Sequence, residues 1–183
     1  ALATGSATDG VSLGRDFHVG HKGWNGLSEL KRLADDLGCP LQVRRTLDWS
    51  SLDGQDVLIV LHPETELWDG ATTAYLAAGG RMVIADDFGK SEQVLDSVGI
   101  HRKTASWPAG VRFYRPDQSL PVGLPVRGTS LGKATSELLG NHSSYFSSSL
   151  PATYAFAPGA SLVIEANVGH GRLVAIADAS VFI

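Results

Sequence analysis

Asp56-Val57-Leu58-Ile59-Val60-Leu61-His62-Pro63 and, after one helical segment, Arg81-Met82-Val83-Ile84-Ala85-Asp86-Asp87-Phe88-Gly89 decide how this chain reads. Each is an unbroken apolar run that closes on polar residues. A strand with one wet face alternates apolar and polar positions, whereas a run this uniform fits a parallel strand covered on both sides. Between the two, Leu67, Ala71, Ala74, Tyr75 and Ala78 recur at helical spacing, and Gly79-Gly80 ends the helix. The segment therefore reads as strand, helix, strand.

The same alternation extends in both directions. Upstream, Leu27, Leu30, Leu33, Ala34 and Leu37 form one apolar stripe, which predicts a helix from about Gly26 to Leu37 with Asn25 as its cap and Gly38 as its end before Pro40. Leu41-Gln42-Val43 is a short strand candidate. Downstream, Ser91 caps a short helix carrying Val94, Leu95 and Val98 and ending at Gly99. From Thr104 to Pro158 the pattern degrades into Pro, Gly and Ser, as in Pro121-Val122-Gly123-Leu124-Pro125 and Ser143-Ser144-Tyr145-Phe146-Ser147-Ser148-Ser149. Residues 104–158 therefore read as an irregular excursion. Order returns at Ala160 to Ala166 and Arg172 to Asp178, joined by Asn167-Val168-Gly169-His170-Gly171 as a β-hairpin whose last strand rejoins the main sheet. The expectation is a single α/β layered domain over 1–183, with a mostly parallel sheet, right-handed crossovers, the 104–158 insertion and a C-terminal β-hairpin.

Composition narrows the partners. The 183 residues suit one core, and 43% hydrophobic with 19% charged residues is an ordinary globular balance. Fifteen basic against nineteen acidic residues give a net charge of −4, the wrong sign for a surface built to neutralise phosphates, so nucleic acid is excluded as a first choice. The lone Cys39 closes no intrachain disulfide, and at the C-terminal end of a helix the dipole disfavours its thiolate. No Cys/His cluster has zinc spacing, no serine lies in G-x-S-x-G, and no run of about 18 apolar residues spans a bilayer. The start at Ala1-Leu2-Ala3, a small-x-small pattern, and the apolar end Ser180-Val181-Phe182-Ile183 read as the ends of a piece cut from a longer chain.

In an open parallel sheet, ligands bind beyond the carboxyl ends of the strands, where loops diverge and helix N-termini point outward. That rule selects His62, Asp86, Asp87 and Asp178 as catalytic candidates and Trp24, Asn25, His62, Asp86, Asp87 and Ser180 as ligand-binding candidates. Two neighbouring carboxyls can split their pKa values and share acid and base roles. The plainer alternative has one capping the following turn and the other solvated. A free imidazole has a pKa of about 6.5, near working pH, so a histidine at the place of His62 suits a general base or a ligand, or simply a hydrogen bond to its own loop. Gly23-Trp24-Asn25-Gly26 offers close backbone approach at a helix start, with Trp24 as a stacking platform or a packing staple, but it lacks the dinucleotide and Walker fingerprints. The run His101-Arg102-Lys103 reads as a solvated strand edge, and His142 as part of an exposed polar loop. A metal held by His62 with Asp86 or Asp178 is chemically possible, but residues on separate loops give no spacing signal, so neither a metal nor a cofactor is expected.

Taken together, Gly23-Trp24-Asn25-Gly26-Leu27-Ser28-Glu29-Leu30, the two runs through His62-Pro63 and Asp86-Asp87-Phe88-Gly89, and Gly169-His170-Gly171-Arg172-Leu173-Val174-Ala175-Ile176-Ala177-Asp178-Ala179-Ser180-Val181-Phe182 resemble a bacterial domain of unknown function related to the class I glutamine amidotransferases. The resemblance implies a flavodoxin-like three-layer sandwich, often carried between transmembrane segments, and hence a membrane-associated, extracytoplasmic location through flanking segments absent from this chain. Amidotransferases place a nucleophilic cysteine on a strand-to-helix elbow. Asp86-Asp87-Phe88-Gly89 stands at the comparable place without one, which argues against glutamine hydrolysis.

Two readings of function follow. One is a non-catalytic module that binds a small molecule or protein partner at the carboxyl edge or the excursion. The other is a hydrolase-like enzyme using Asp86, Asp87 or Asp178 with His62. The enzyme reading requires these side chains to converge on one pocket with their carboxylates not engaged in capping bonds.

Overall fold

The computed structural model describes residues 17–44, 46–67, 69–104, 106–126, 128–142 and 144–183; the Ala1-Leu2-Ala3 pattern and Ser143 lie outside the described residues. The chain divides into two compact units, one holding the described residues up to 44 with Phe182–Ile183, the other Thr46–Val181.

In the first unit, residues 17–27 close into a loop in which Phe17 N–H donates to the Asn25 carbonyl (2.8 Å) and Leu27 N–H to that of His18 (3.1 Å). Helix α1, Ser28–Asp36, follows. Its N-cap is Leu27 rather than the expected Asn25, and leucine has no side-chain acceptor with which to cap it. Ion pairs Lys31–Asp35, Arg32–Glu29 and Arg32–Asp36 lace its polar side, each worth a few tenths of a kcal/mol at most. The expected strand at Leu41-Gln42-Val43 is irregular backbone.

The second unit carries a mixed sheet of ten strands, strongly curled. Strands β1 (Val57–Leu61) and β2 (Arg81–Ala85) run parallel, joined through α2 (Asp69–Ala77). After α3 (Glu92–Ser97) come β3 (Ile100–Lys103), β4 (Phe113–Arg115), β5 (Gln118–Pro125), β6 (Leu138–Leu139), β7 (Tyr145–Ser148), β8 (Ala152–Ala157), β9 (Ala160–Val168) and β10 (Gly171–Ile176). The main order is β1-β2-β10-β9-β8-β5-β4, with β7 bridging β3 to β9 and β6 lying on β5. Among the described residues only the pairings β1–β2 and β2–β10 are parallel; every other pairing is antiparallel. The core gathers on β8, β9 and β10, where Tyr154, Leu162, Ile164 and Leu173 are buried.

The expected three-layer α/β sandwich is therefore wrong. The domain is mostly β, with three α-helices of 9, 9 and 6 residues among the described residues, too few to cover both faces of a parallel sheet. The error has a local cause. Residues 104–158, read as an irregular excursion, supply five strands, β4 to β8. Pro121 and Pro125 conceal β5, since proline withholds a ladder donor and is tolerated only at edges, strand starts and bulges. Here Pro121 faces Phe113 beside a register shift, and its carbonyl accepts from Gly140 N–H (3.0 Å). Gly123 is demanded by packing, because a Cβ there would lie 2.7 Å from Leu162 Cδ2 of β9. A pattern of Pro and Gly that reads as loop is thus a strand pressed against the core.

Candidate functional site at the carboxyl edge of the parallel strands

Leu61, Ala85 and Ile176 are aligned across the three parallel strands, so the residues that follow them emerge side by side. They are His62, the turn Asp86 to Lys90, and Asp178. His62 adopts φ +44, a left-handed conformation that side chains other than glycine and the small polar ones rarely take. Its N–H donates to the Ala85 carbonyl (2.9 Å), which ties the turn to the end of β2. Such strain costs about 1–3 kcal/mol and persists where neighbours over-determine it.

Asp86 is fully buried; its carboxylate accepts three hydrogen bonds, and its Oδ1 lies 3.8 Å from His62 Nδ1. Oδ1 accepts from Gly89 N–H (2.5 Å); Oδ2 accepts from Ser91 N–H (3.1 Å) and Ser91 Oγ (2.5 Å) and lies 2.9 Å from Nη1 of Arg102. Arg102, with its side chain 5% exposed, also donates to the Gly89 carbonyl (2.9 Å) and pairs with Glu92. Gly89 is required because a Cβ there would sit 2.6 Å from Asp86 Oδ1 and 2.8 Å from the Pro63 carbonyl. Asp86 therefore fastens the turn 86–91 to β3. The expectation of a solvated edge at His101-Arg102-Lys103 fails at Arg102. The signal was present: Arg102 lies two residues from Ile100 and so faces the same side of β3 as that buried residue.

Asp178 is also fully buried, and its carboxylate accepts four hydrogen bonds. Oδ2 accepts from the amides of Asn141 (2.6 Å) and His142 (3.0 Å), and Oδ1 from Ser180 N–H (2.9 Å) and Ser180 Oγ (2.5 Å). It pins the loop after β6 to the end of β10. His142, read as part of an exposed loop, is held there by its backbone; its Nδ1 is buried with no hydrogen-bond partner among the described residues. Ser180, a ligand-binding candidate, directs its hydroxyl to Asp178.

Asp87 differs. Its Oδ1 accepts from Phe88 N–H (3.2 Å) and lies 3.4 Å from His62 Nδ1. Burial pushes the Asp87 carboxyl above the usual carboxylate range; its own backbone amide opposes this, Asp178 adds to it, and His142 and His62 draw it back. Beside it Phe88 is 61% exposed, with the His62 ring edge-on at 4.3 Å and the His142 ring at 5.3 Å. Donor atoms of His62, Asp86 and Asp87 lie within 4.8 Å of one another. A cation using all three would compete with Arg102 and the amides for Asp86.

Of the sequence candidates, His62, Asp86, Asp87, Asp178 and Ser180 thus assemble at one strand edge in the second unit. Trp24 and Asn25 belong to the first unit; Trp24 is 79% exposed, so it is no packing staple. Cys39 is exposed, its Sγ 3.8 Å from the Leu37 carbonyl.

Residues 20–183 match the family described as "Domain of unknown function (DUF4350)". The chain belongs to the DUF4350 family. No curated protein matches it. Among solved structures, this DUF4350 chain is similar to the mmIFT52 N-terminal domain, at 15% identity and TM-score 0.60, over 83% of this chain and 80% of that one. That likeness is one of fold. An exo-β-1,4-mannosidase, Op5Man5, from Opitutaceae bacterium strain TAV5 aligns at 13% identity and TM-score 0.43 over 68% of this chain, and a β-galactosidase from Bacillus circulans sp. alkalophilus at 12% and 0.43 over 69%. This chain spans 20% of each of those two. The resemblance to an amidotransferase-related, flavodoxin-like domain is corrected by these findings: the family is DUF4350, the fold is mostly β, and nothing among them is an amidotransferase. Among the described residues no helix is long and apolar enough to cross a membrane.

Proposed function

We propose that this DUF4350 chain is a non-catalytic binding domain whose carboxyl edge receives a cationic group, such as the guanidinium of an arginine side chain on a ligand or partner. One observation carries the reading: Asp178 accepts from four scaffold donors and Asp86 from three beside the Arg102 guanidinium, while Asp87 accepts from one scaffold amide, that of Phe88, and burial disfavours its charged form next to an exposed aromatic ring. A carboxylate kept in the scaffold by donors is a poor proton shuttle. A carboxylate whose negative form is disfavoured gains from an incoming positive charge, and a guanidinium also stacks on an aromatic face. Phe88 supplies the face, Asp87 the charge, and His62 an oriented imidazole beside both.

The test is a nuclear magnetic resonance titration with N-acetyl-arginine amide against its neutral isostere N-acetyl-citrulline amide. Saturable shifts of Phe88 and His62 with the arginine compound alone, abolished in Asp87→Asn and weakened in Phe88→Ala, are the expected result. Equal response to both compounds, or none at millimolar concentration, refutes cation recognition. Hydrolysis of a nitrophenyl ester or phosphate that is lost in Asp87→Asn refutes the non-catalytic reading.

A further inference from the structure

At the opposite end of the same three strands a different surface opens. The register places Val57, Arg81 and Arg172 in one row across β1, β2 and β10, and Ile59, Val83 and Val174 in the next row on the same face, with Glu165 of β9 beside Val174. The other face of these strands carries Met82, Ile84, Leu173 and Ala175, all buried. The first face is not closed in this way: Val57 is 52% exposed, and a cleft of about 390 Å³ is lined by Val57, Val83, Val174 and Leu131 together with both arginines. That volume falls in the range of small-molecule sites, which join an apolar floor to a few placed polar groups.

The charges at the rim differ in state. Arg172 pairs with Glu165 and reaches Ser130 Oγ at 3.4 Å. Arg81, also lining the cleft, forms no ion pair among the described residues. Of the charged residues that line the cleft, two are guanidiniums and one is a carboxylate, so the lining itself carries a net positive charge next to valine and leucine side chains. An apolar ligand leaves that charge unanswered, and a cationic one is repelled by it.

We infer that this cleft binds a small amphiphilic acid, an aliphatic chain lying on Val57, Val83, Val174 and Leu131 with its carboxylate on Arg81. The chain contributes through apolar area removed from water, and the carboxylate matches the planar fork of a guanidinium. The site stands apart from the carboxyl edge and does not depend on Asp87.

Isothermal titration with decanoate, decanol and decyltrimethylammonium tests it. Decanoate binds one to one with a dissociation constant below about 1 mM, and the other two bind at least about fivefold more weakly, as expected for one charge-assisted contact. Arg81→Met removes the preference for decanoate, and Arg81→Glu transfers it to decyltrimethylammonium; both substitutions alter an exposed side chain, and a thermal melt verifies that each variant folds. Asp87→Asn leaves decanoate binding unchanged, which separates this site from the proposed cation site. No saturable binding of decanoate, equal binding of all three probes, wild-type selectivity in both Arg81 variants, or attachment to phosphatidylglycerol vesicles without decanoate binding overturns the inference.

Discussion

Replacing Asp86 by alanine removes the acceptor for three neutral donors and the counter-charge of Arg102 in one step. The amides of Gly89 and Ser91 and the Ser91 hydroxyl lose their partner, and a guanidinium that is 5% exposed is left with the Gly89 carbonyl and the half-exposed Glu92. Breaking a buried ion pair from one side costs about 3–5 kcal/mol, because the surviving charge stays desolvated. For a chain of this size each kcal/mol shifts Tm by about 2–4 °C, so a loss of roughly 6–20 °C is expected in a calorimetric or circular-dichroism melt. Asp86→Asn retains one acceptor oxygen and should fall between alanine and wild type. Arg102→Met combined with Asp86→Ala should cost less than the two single variants added together, with a coupling of about 0.5–3 kcal/mol. A melt of Asp86→Ala within about 2 °C of wild type, or strict additivity in the cycle, would show that the network does not hold the turn and would return Asp86 to the list of candidate reactive groups.

Asp87 should behave in the opposite sense. Its folded pKa lies above its unfolded value, so between the two the folded state holds a proton that the unfolded state has released, and stability falls as pH rises through the folded pKa. Asp87→Asn removes that loss while its amide oxygen still accepts from Phe88 N–H, so the variant should match wild type below the unfolded carboxylate range and exceed it at neutral pH in paired urea titrations; a variant less stable at pH 7 contradicts the assignment. Gly89→Ala should cost about 1–3 kcal/mol, since the new methyl meets both the Pro63 carbonyl and the Asp86 carboxylate and one of them must move; unchanged urea unfolding would mean the turn relaxes freely.

Legibility in the sequence followed the range of the forces involved. The strands at Val57–Leu61 and Arg81–Ala85 and the helices at Asp69–Ala77 and Glu92–Ser97 lie within the runs and periodic segments that predict them, because burial of nearby apolar residues shapes them directly. β5 stayed hidden because nothing local makes Pro121-Val122-Gly123-Leu124-Pro125 extended; pairing with β4, β6 and β8 and the close passage of Leu162 do. Asp178 shows the same limit at the site. Its carboxylate is filled by amides 36 and 37 residues away, and no spacing in the sequence announces such a contact. His62 and Asp86 are legible because each follows immediately on an apolar run, and Asp87 because it stands next to Asp86.

That the site survives the loss of the expected architecture follows from what the strand-end rule requires. Loops diverge and donors cluster wherever adjacent parallel strands end together, and three strands suffice. β1, β2 and β10 supply that arrangement inside a sheet whose other pairings are antiparallel, so His62, Asp86, Asp87 and Asp178 meet as they would in a larger parallel sheet. The antiparallel remainder adds something a uniformly parallel sheet would not: β6 delivers the amides of Asn141 and His142 across the top of β10, and β3 delivers Arg102 beneath β2's turn. Two of the three carboxylates thereby become parts of the scaffold. Of the three carboxylates, Asp87 is the one the scaffold holds least, so a double substitution of Asp86 and Asp87 would mix a folding defect with any binding defect, whereas Asp87 changed alone tests the proposed cation site.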